Sequence, residues 1–215
     1  MTASRGRTGR PPLTQERKAE IRLEIARAAV DLFVDQGVAA TTGEQIGQAV
    51  GVSARTVWRY FPSKESCVGP LLTAGIDAIA ACLREWEPGR PLGEAFARRL
   101  ETDQRLVGGP DPATVGALVR LARTEPALRA VWLQTYDEAE PAFARALADR
   151  AGVPAGDFRP AIQAAMFNAA LRAAVEHHAW RAADTAATAA DPATVRAELA
   201  EAIRAALVVA SEGVN

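Results

Sequence analysis

Apolar residues recur along this chain at spacings of three and four, and no stretch of useful length alternates in the two-residue period of a half-buried strand. Over 14–36, Ile21, Ile25, Ala28, Ala29, Leu32 and Phe33 make one stripe that Gly37 ends, which predicts a first helix of about six turns. Two short helices follow, over 42–50 and 53–61, and a longer one runs from Lys64 through Leu71, Leu72, Ile76, Ile79 and Leu83 to Trp86, before Pro88 and Gly89. Proline and glycine then divide the rest into helices over 91–106, 112–124, 126–151, 157–183 and 192–210, with a kink or break expected at Pro141. The pattern predicts an all-α fold of about nine helices without a repeat of fixed period.

The stretch from Thr42 to Lys64 carries the most specific chemistry. Thr42 is placed to cap a helix, with Gln45 where a capping-box partner belongs, and Ile46, Ala49 and Val50 give that helix a buried face. Gly51 stands where a helix end needs positive φ, and Ser53 can accept from the free N–H groups of the next helix. In that helix Val57 and Phe61 share one face, and Arg55 and Arg59 share another roughly 200° away, at about 100° per residue. A short packed helix that displays two guanidiniums suits the major groove, where arginine grips guanine O6 and N7 in a bidentate fork. Pro62-Ser63-Lys64-Glu65 then reads as a break and a fresh helix start. A cation at that mouth opposes the helix dipole, so Lys64 is either a solvated lysine or one that faces a phosphate.

Composition changes this picture in one respect. The chain has 215 residues, 49% of them hydrophobic, enough for a sizeable core, and its net charge of −1 gives no hint of nucleic acid. Residues 1–66, however, hold 10 Lys and Arg against 7 Asp and Glu, so the positive charge sits with the opening motif. Arg5, Arg7 and Arg10 lie in a flexible segment, 1–13, which is either a solvated tail or a basic arm for phosphates or a minor groove. Cys67 and Cys82 are about 22 Å apart if both lie in one helix, too far to bridge. With no apolar leader and no run of about 18 uncharged apolar residues, a cytoplasmic protein without a membrane partner is expected.

The last two helices, about 158–183 and 192–210, carry unusually small apolar residues, among them Ala165, Ala169, Ala173, Ala202 and Ala206. Such a pair is either ordinary core or half of a four-helix bundle completed by a second copy. Two-fold pairing would double the contacts of a short reading helix on a palindromic site, which favours a homodimer. His177 and His178 point about 100° apart on a helix and have no ligand four residues away, so no metal site is expected. No phosphate loop or nucleophile motif occurs, and neither an enzyme nor a cofactor is expected. Trp86, Phe96, Trp132, Tyr136, Phe143 and Phe167 are either core or, with Asn168 and His177, the lining of a mainly apolar cavity.

At residues 42–64 the chain closely resembles the tetracycline-repressor (TetR) family of bacterial transcriptional regulators. The likeness rests on the helix at 14–37 and the run T-T-G-E-Q-I-G-Q-A-V-G-V-S-A-R-T-V-W-R-Y-F-P-S-K from Thr41, and extends to the remainder in architecture only. It implies a homodimer, a helix-turn-helix DNA-binding domain over 14–63, and a helical ligand-binding and dimerisation domain over 64–215. It also implies base reading by Ala54, Arg55, Thr56 and Arg59, and phosphate contacts by Thr42, Trp58, Tyr60 and Lys64. Trp58 stands where the family more often has tyrosine, and Ala54 offers only a methyl contact to thymine. The expected function is that of a repressor released from its operator in double-stranded DNA by a small hydrophobic or aromatic effector. The alternative is a helical DNA-binding architectural or interaction protein with no inducer.

Overall fold

The computed structural model describes residues 14–86, 94, 112–184 and 191–212. Among these it forms eight α-helices, one 3-10 turn and no strand, in agreement with an all-α reading. They are α1 Gln15–Gln36, α2 Gly43–Ala49, α3 Ala54–Tyr60, the 3-10 turn Glu65–Val68 leading into α4 Gly69–Glu85, α5 Pro112–Thr124, α6 Pro126–Ala151, α7 Phe158–Asp184 and α8 Pro192–Glu212. Of the further helix expected over 91–106, only residue 94 is among the described residues, and it is helical.

Local sequence explains where the first helices begin and stop. Thr14 accepts from the Arg17 amide at 3.2 Å and starts α1, and Gly37, at φ 85°, ends it with its own N–H on the Phe33 carbonyl. Ile25, Ala26, Ala29, Val30 and Phe33 form the buried face. That face meets the 3-10 turn and α4, so the core is contiguous from α1 to α8. The segment Glu65–Glu85 is long and apolar enough to cross a membrane, yet about half (53%) of its most apolar 18-residue window is buried inside the protein. Its Val68, Leu71, Ile76 and Leu83 are core residues, each contributing about 1.5–3 kcal/mol by leaving water.

At Pro141 the expected break does not occur: α6 runs unbroken from Pro126 to Ala151. Proline removes the N–H that would reach the Asp137 carbonyl, but Asp137 and Pro141 both lie on the exposed side, where water can serve that carbonyl. The helix stops instead at Gly152, whose φ of 67° provides a left-handed cap.

Along the α6–α7 seam the core contains a carboxylate that no motif announced. Glu176, nine-tenths buried, accepts from Trp132 Nε1 at 2.8 Å and Arg129 at 2.5 Å, with Arg172 at 3.4 Å one turn earlier on its own helix. Burial alone would raise its pKa. The hydrogen bond from Trp132, the bond and charge of Arg129, and the charge of Arg172 together outweigh burial and hold the carboxyl below its usual range. A carboxyl lowered in the folded state contributes stability that is present above its unfolded pKa, about 4.3, and is lost as pH falls through the folded value. Glu176→Gln is therefore expected to cost about 1–3 kcal/mol near neutral pH. Urea midpoints of variant and wild type should converge as pH is lowered from 7 towards 3, and a constant gap would contradict the charged seam.

Candidate nucleic-acid interface

Between α2 and α3 the geometry is built from a few backbone requirements. Thr42 Oγ1 accepts from the Gln45 amide at 3.3 Å and Gln45 Oε1 accepts from the Thr42 amide at 2.8 Å, completing a reciprocal capping box. After Ala49 the chain reverses through Gly51, at φ 70°, so that the Val52 amide donates to the Gly47 carbonyl at 2.8 Å. Ser53 then accepts from the Thr56 amide at 3.2 Å and starts α3. Val57, fully buried, and Phe61, beneath the Arg22 guanidinium at 5.4 Å, fasten α3 to the core.

That fastening decides which side chains are displayed. Arg55 and Arg59 are exposed on the outer face of α3, as expected, with Ala54 and Thr56 beside them partly covered. The Thr56 hydroxyl lies 3.0 Å from that of Ser53 and belongs to the cap. Arg59 stacks on the Tyr60 ring at 5.0 Å and reaches its hydroxyl at 3.4 Å, so the base-reading and phosphate candidates meet here in one unit. Thr42 is exposed, and its hydroxyl keeps its own proton to donate. Trp58 lies across the start of α2: a methyl group built on Gly43 would fall 1.9 Å from its ring, yet 43% of the side chain stays exposed. Trp58 therefore packs on α2 through Gly43. Arg5, Arg7 and Arg10 lie outside the described residues.

The Lys64 side chain turns towards the start of α2. Its ammonium donates to the carbonyls of Val38 at 2.6 Å, Ala39 at 3.3 Å and Thr41 at 3.0 Å, so all three of its protons are directed into the protein. The residue that caps the following turn is Ser63, whose hydroxyl accepts from the Ser66 amide at 3.1 Å while the Ser66 hydroxyl accepts from the Ser63 amide.

The expected cavity residues divide. Trp132 and Tyr136 pack edge to face at 4.7 Å, Phe143 and Phe167 at 5.2 Å, and all four are buried between α6 and α7. Burial, then the neighbouring Glu176, pushes the Tyr136 phenol above its usual range. Asn168 joins them, donating to the Tyr136 carbonyl at 3.0 Å and Glu140 at 3.1 Å. Because both partners are acceptors, its amide cannot be flipped, and its buried Oδ1 has no donor among the described residues. Trp86 is elsewhere, at the end of α4 under the Arg150 guanidinium at 3.7 Å, with its carbonyl bonded to Arg150 at 2.6 Å. His177 is exposed, unlike these four buried aromatic residues; Phe96 lies outside the described residues.

His177 lines a different feature, an open groove of about 1380 Å³ between α7 and α8. Its floor is small and apolar, with Ala170, Ala173, Ala202 and Ala206, and Met166 and Val209 at its sides are 45% and 65% exposed. An adjoining face of α7, with Ala164, Phe167 and Leu171, is core. α7 is therefore apolar on two sides, and only one of them is covered among the described residues.

Residues 25–69 match the family described as "Bacterial regulatory proteins, tetR family", and residues 107–208 match the "MftR C-terminal domain". The HTH-type transcriptional regulator TcmR of Streptomyces glaucescens is 36% identical over 172 residues, covering 75% of this chain and 74% of that protein. The chain belongs to the TetR family of transcriptional regulators. The HTH-type transcriptional repressor KstR2 of Rhodococcus jostii (strain RHA1) is 34% identical over 68 residues, a third of each protein. Among solved structures, Salmonella enterica GusR superposes with a TM-score of 0.53 at 18% identity, over 93% of this chain and 98% of that one, a likeness of fold. For this TetR-family member, α2, the turn and α3 form the helix-turn-helix of a DNA-binding domain.

Sequence reasoning missed the contribution of Gly43, Gly47 and Glu176. Glycines at the first and fifth positions of a seven-residue helix were themselves the signal, since a helix accepts that entropic cost only where a side chain would collide. A Cβ on Gly47 would meet the Val52 carbonyl oxygen at 2.6 Å, a rigid backbone atom. Gly47→Ala is expected to destabilise the protein by about 1–3 kcal/mol despite the better helix propensity of alanine. A thermal midpoint equal to or above wild type would contradict the packing described for the turn.

Proposed function

We propose that this regulator acts as a dimeric repressor that reads a palindromic operator with α3 of each protomer and leaves it when an apolar effector binds. The observation that carries the reading is the exposed pair Arg55 and Arg59 on a helix whose opposite face, through Val57, is fully buried. Arg55 and Arg59, helped by Ala54 and Thr56, contact base edges; Thr42, Trp58 and Tyr60 contact phosphates. Arg55→Ala is expected to cost about 1–3 kcal/mol on the best site and to relax base preference at one position per half-site, measured by binding to a systematically substituted operator. An unchanged order of preferred sequences would overturn the reading face.

The uncovered apolar side of α7, together with α8, supports a second copy as occupant, giving a four-helix bundle. Ala173→Glu, on that exposed side, is expected to convert dimer to monomer in sedimentation equilibrium, and a variant that stays dimeric would place the interface elsewhere. The effector is inferred to be a small, largely hydrophobic or aromatic molecule. The aromatic seam between α6 and α7 and the unpaired Asn168 Oδ1, which an effector with a hydrogen-bond donor would satisfy, support it.

A further inference from the structure

We propose that Lys64 is a positioning residue that presets the reading head by holding the peptide from which α2 starts, and that it takes no direct part in binding phosphate. The three carbonyls around its ammonium belong to the turn between α1 and α2. One of them, that of Thr41, is the other end of the same peptide group whose N–H, on Thr42, donates to Gln45 Oε1. That planar group is pinned on both sides, by α2 through Gln45 and by the root of α4 through Lys64. Thr41 itself is buried, with its hydroxyl bonded to the Gly37 carbonyl at 2.9 Å and to Gln36 at 3.2 Å, and Gln36 also reaches Gln45 at 3.0 Å.

Lys64 immediately precedes the 3-10 turn that leads into α4, and the far end of α4 is held in turn by Arg150 on the Trp86 carbonyl. α4 is therefore a strut with a cationic clamp at each end, one on the turn ahead of α2 and one on α6. Displacement of its root moves the Thr41 peptide first, then the α2 cap, and with α2 the surface over which Trp58 lies. A phosphate could receive a proton from Lys64 only if one of the three carbonyls lost it.

The inference rests on the reading of this chain as an operator-binding dimer, and its test separates the two. Lys64→Met is expected to lower operator affinity about ten-fold, because ordering the α2 cap then has to accompany binding. The slope of log affinity against log salt should stay unchanged, since no phosphate contact is lost. In the free protein, hydrogen exchange of the amides at 42–46 should quicken. Lys64→Arg, which keeps the charge but cannot converge three protons on three carbonyls, should show the same affinity loss and the same faster exchange. A slope shallower by about 0.9 per phosphate contact, unaltered exchange, or full affinity in Lys64→Arg would each overturn the proposal. Failure of the wild type to bind DNA selectively would instead bring down the operator reading, while the exchange result would still judge the clamp.

Discussion

A seven-residue helix cannot hold its shape in water, and the reading surface of this protein is one such helix. The order of α3 is borrowed: from Ser53 at its first turn, from Val57 and Phe61 sunk into the core, and from a glycine-lined contact with α2. α2, equally short, relies on its capping box and on the α1–α2 turn. Arg55 and Arg59 can be exposed on a rigid base because almost everything behind them is backbone geometry and buried hydrocarbon. Shape there is set by the loops and caps more than by the helices.

Those loops and caps were the most legible part of the sequence. Thr42 with Gln45, Gly51 and Ser53 each announce a single backbone requirement at a fixed offset, and the structure contains all of them. The helices of the remainder were legible from periodicity, because a stripe at three- and four-residue spacing lines up on one side of a helix and scatters over both faces of a strand. Lys64 and Trp58 were harder, since a charge or a ring near a helix terminus does not reveal its direction. The Lys64 side chain turns towards carbonyls more than 20 residues away in sequence, and no local pattern reports such a partner. That Pro141 does not break its helix has a related reason: how much it disturbs a helix depends on whether the orphaned carbonyl faces water, a tertiary fact.

The helical remainder of the chain is organised by a different force. Glu176 sits where an apolar residue would serve α6–α7 packing more simply, and two arginines and an indole are needed to keep it charged. Such a centre ties α6 to α7 at one orientation, since the bonds from Trp132 and Arg129 are directional where alanine and leucine contacts are not. Glu176 also borders the open groove, so the seam and the groove meet at this residue.

The contact between Gly43 and Trp58 has an evolutionary consequence. Glycine at 43 is the space that the indole occupies, so the two positions share one volume though fifteen residues apart in sequence. Neither is free to drift by itself: a larger residue at 43 would evict the ring, and a smaller one at 58 would uncover the start of α2. Among descendants of this sequence, bulk should be exchanged between the two sites, and a lineage that trades the indole for a smaller ring gains room for a side chain on α2. The pair thus marks where the reading head can change shape without losing its fold.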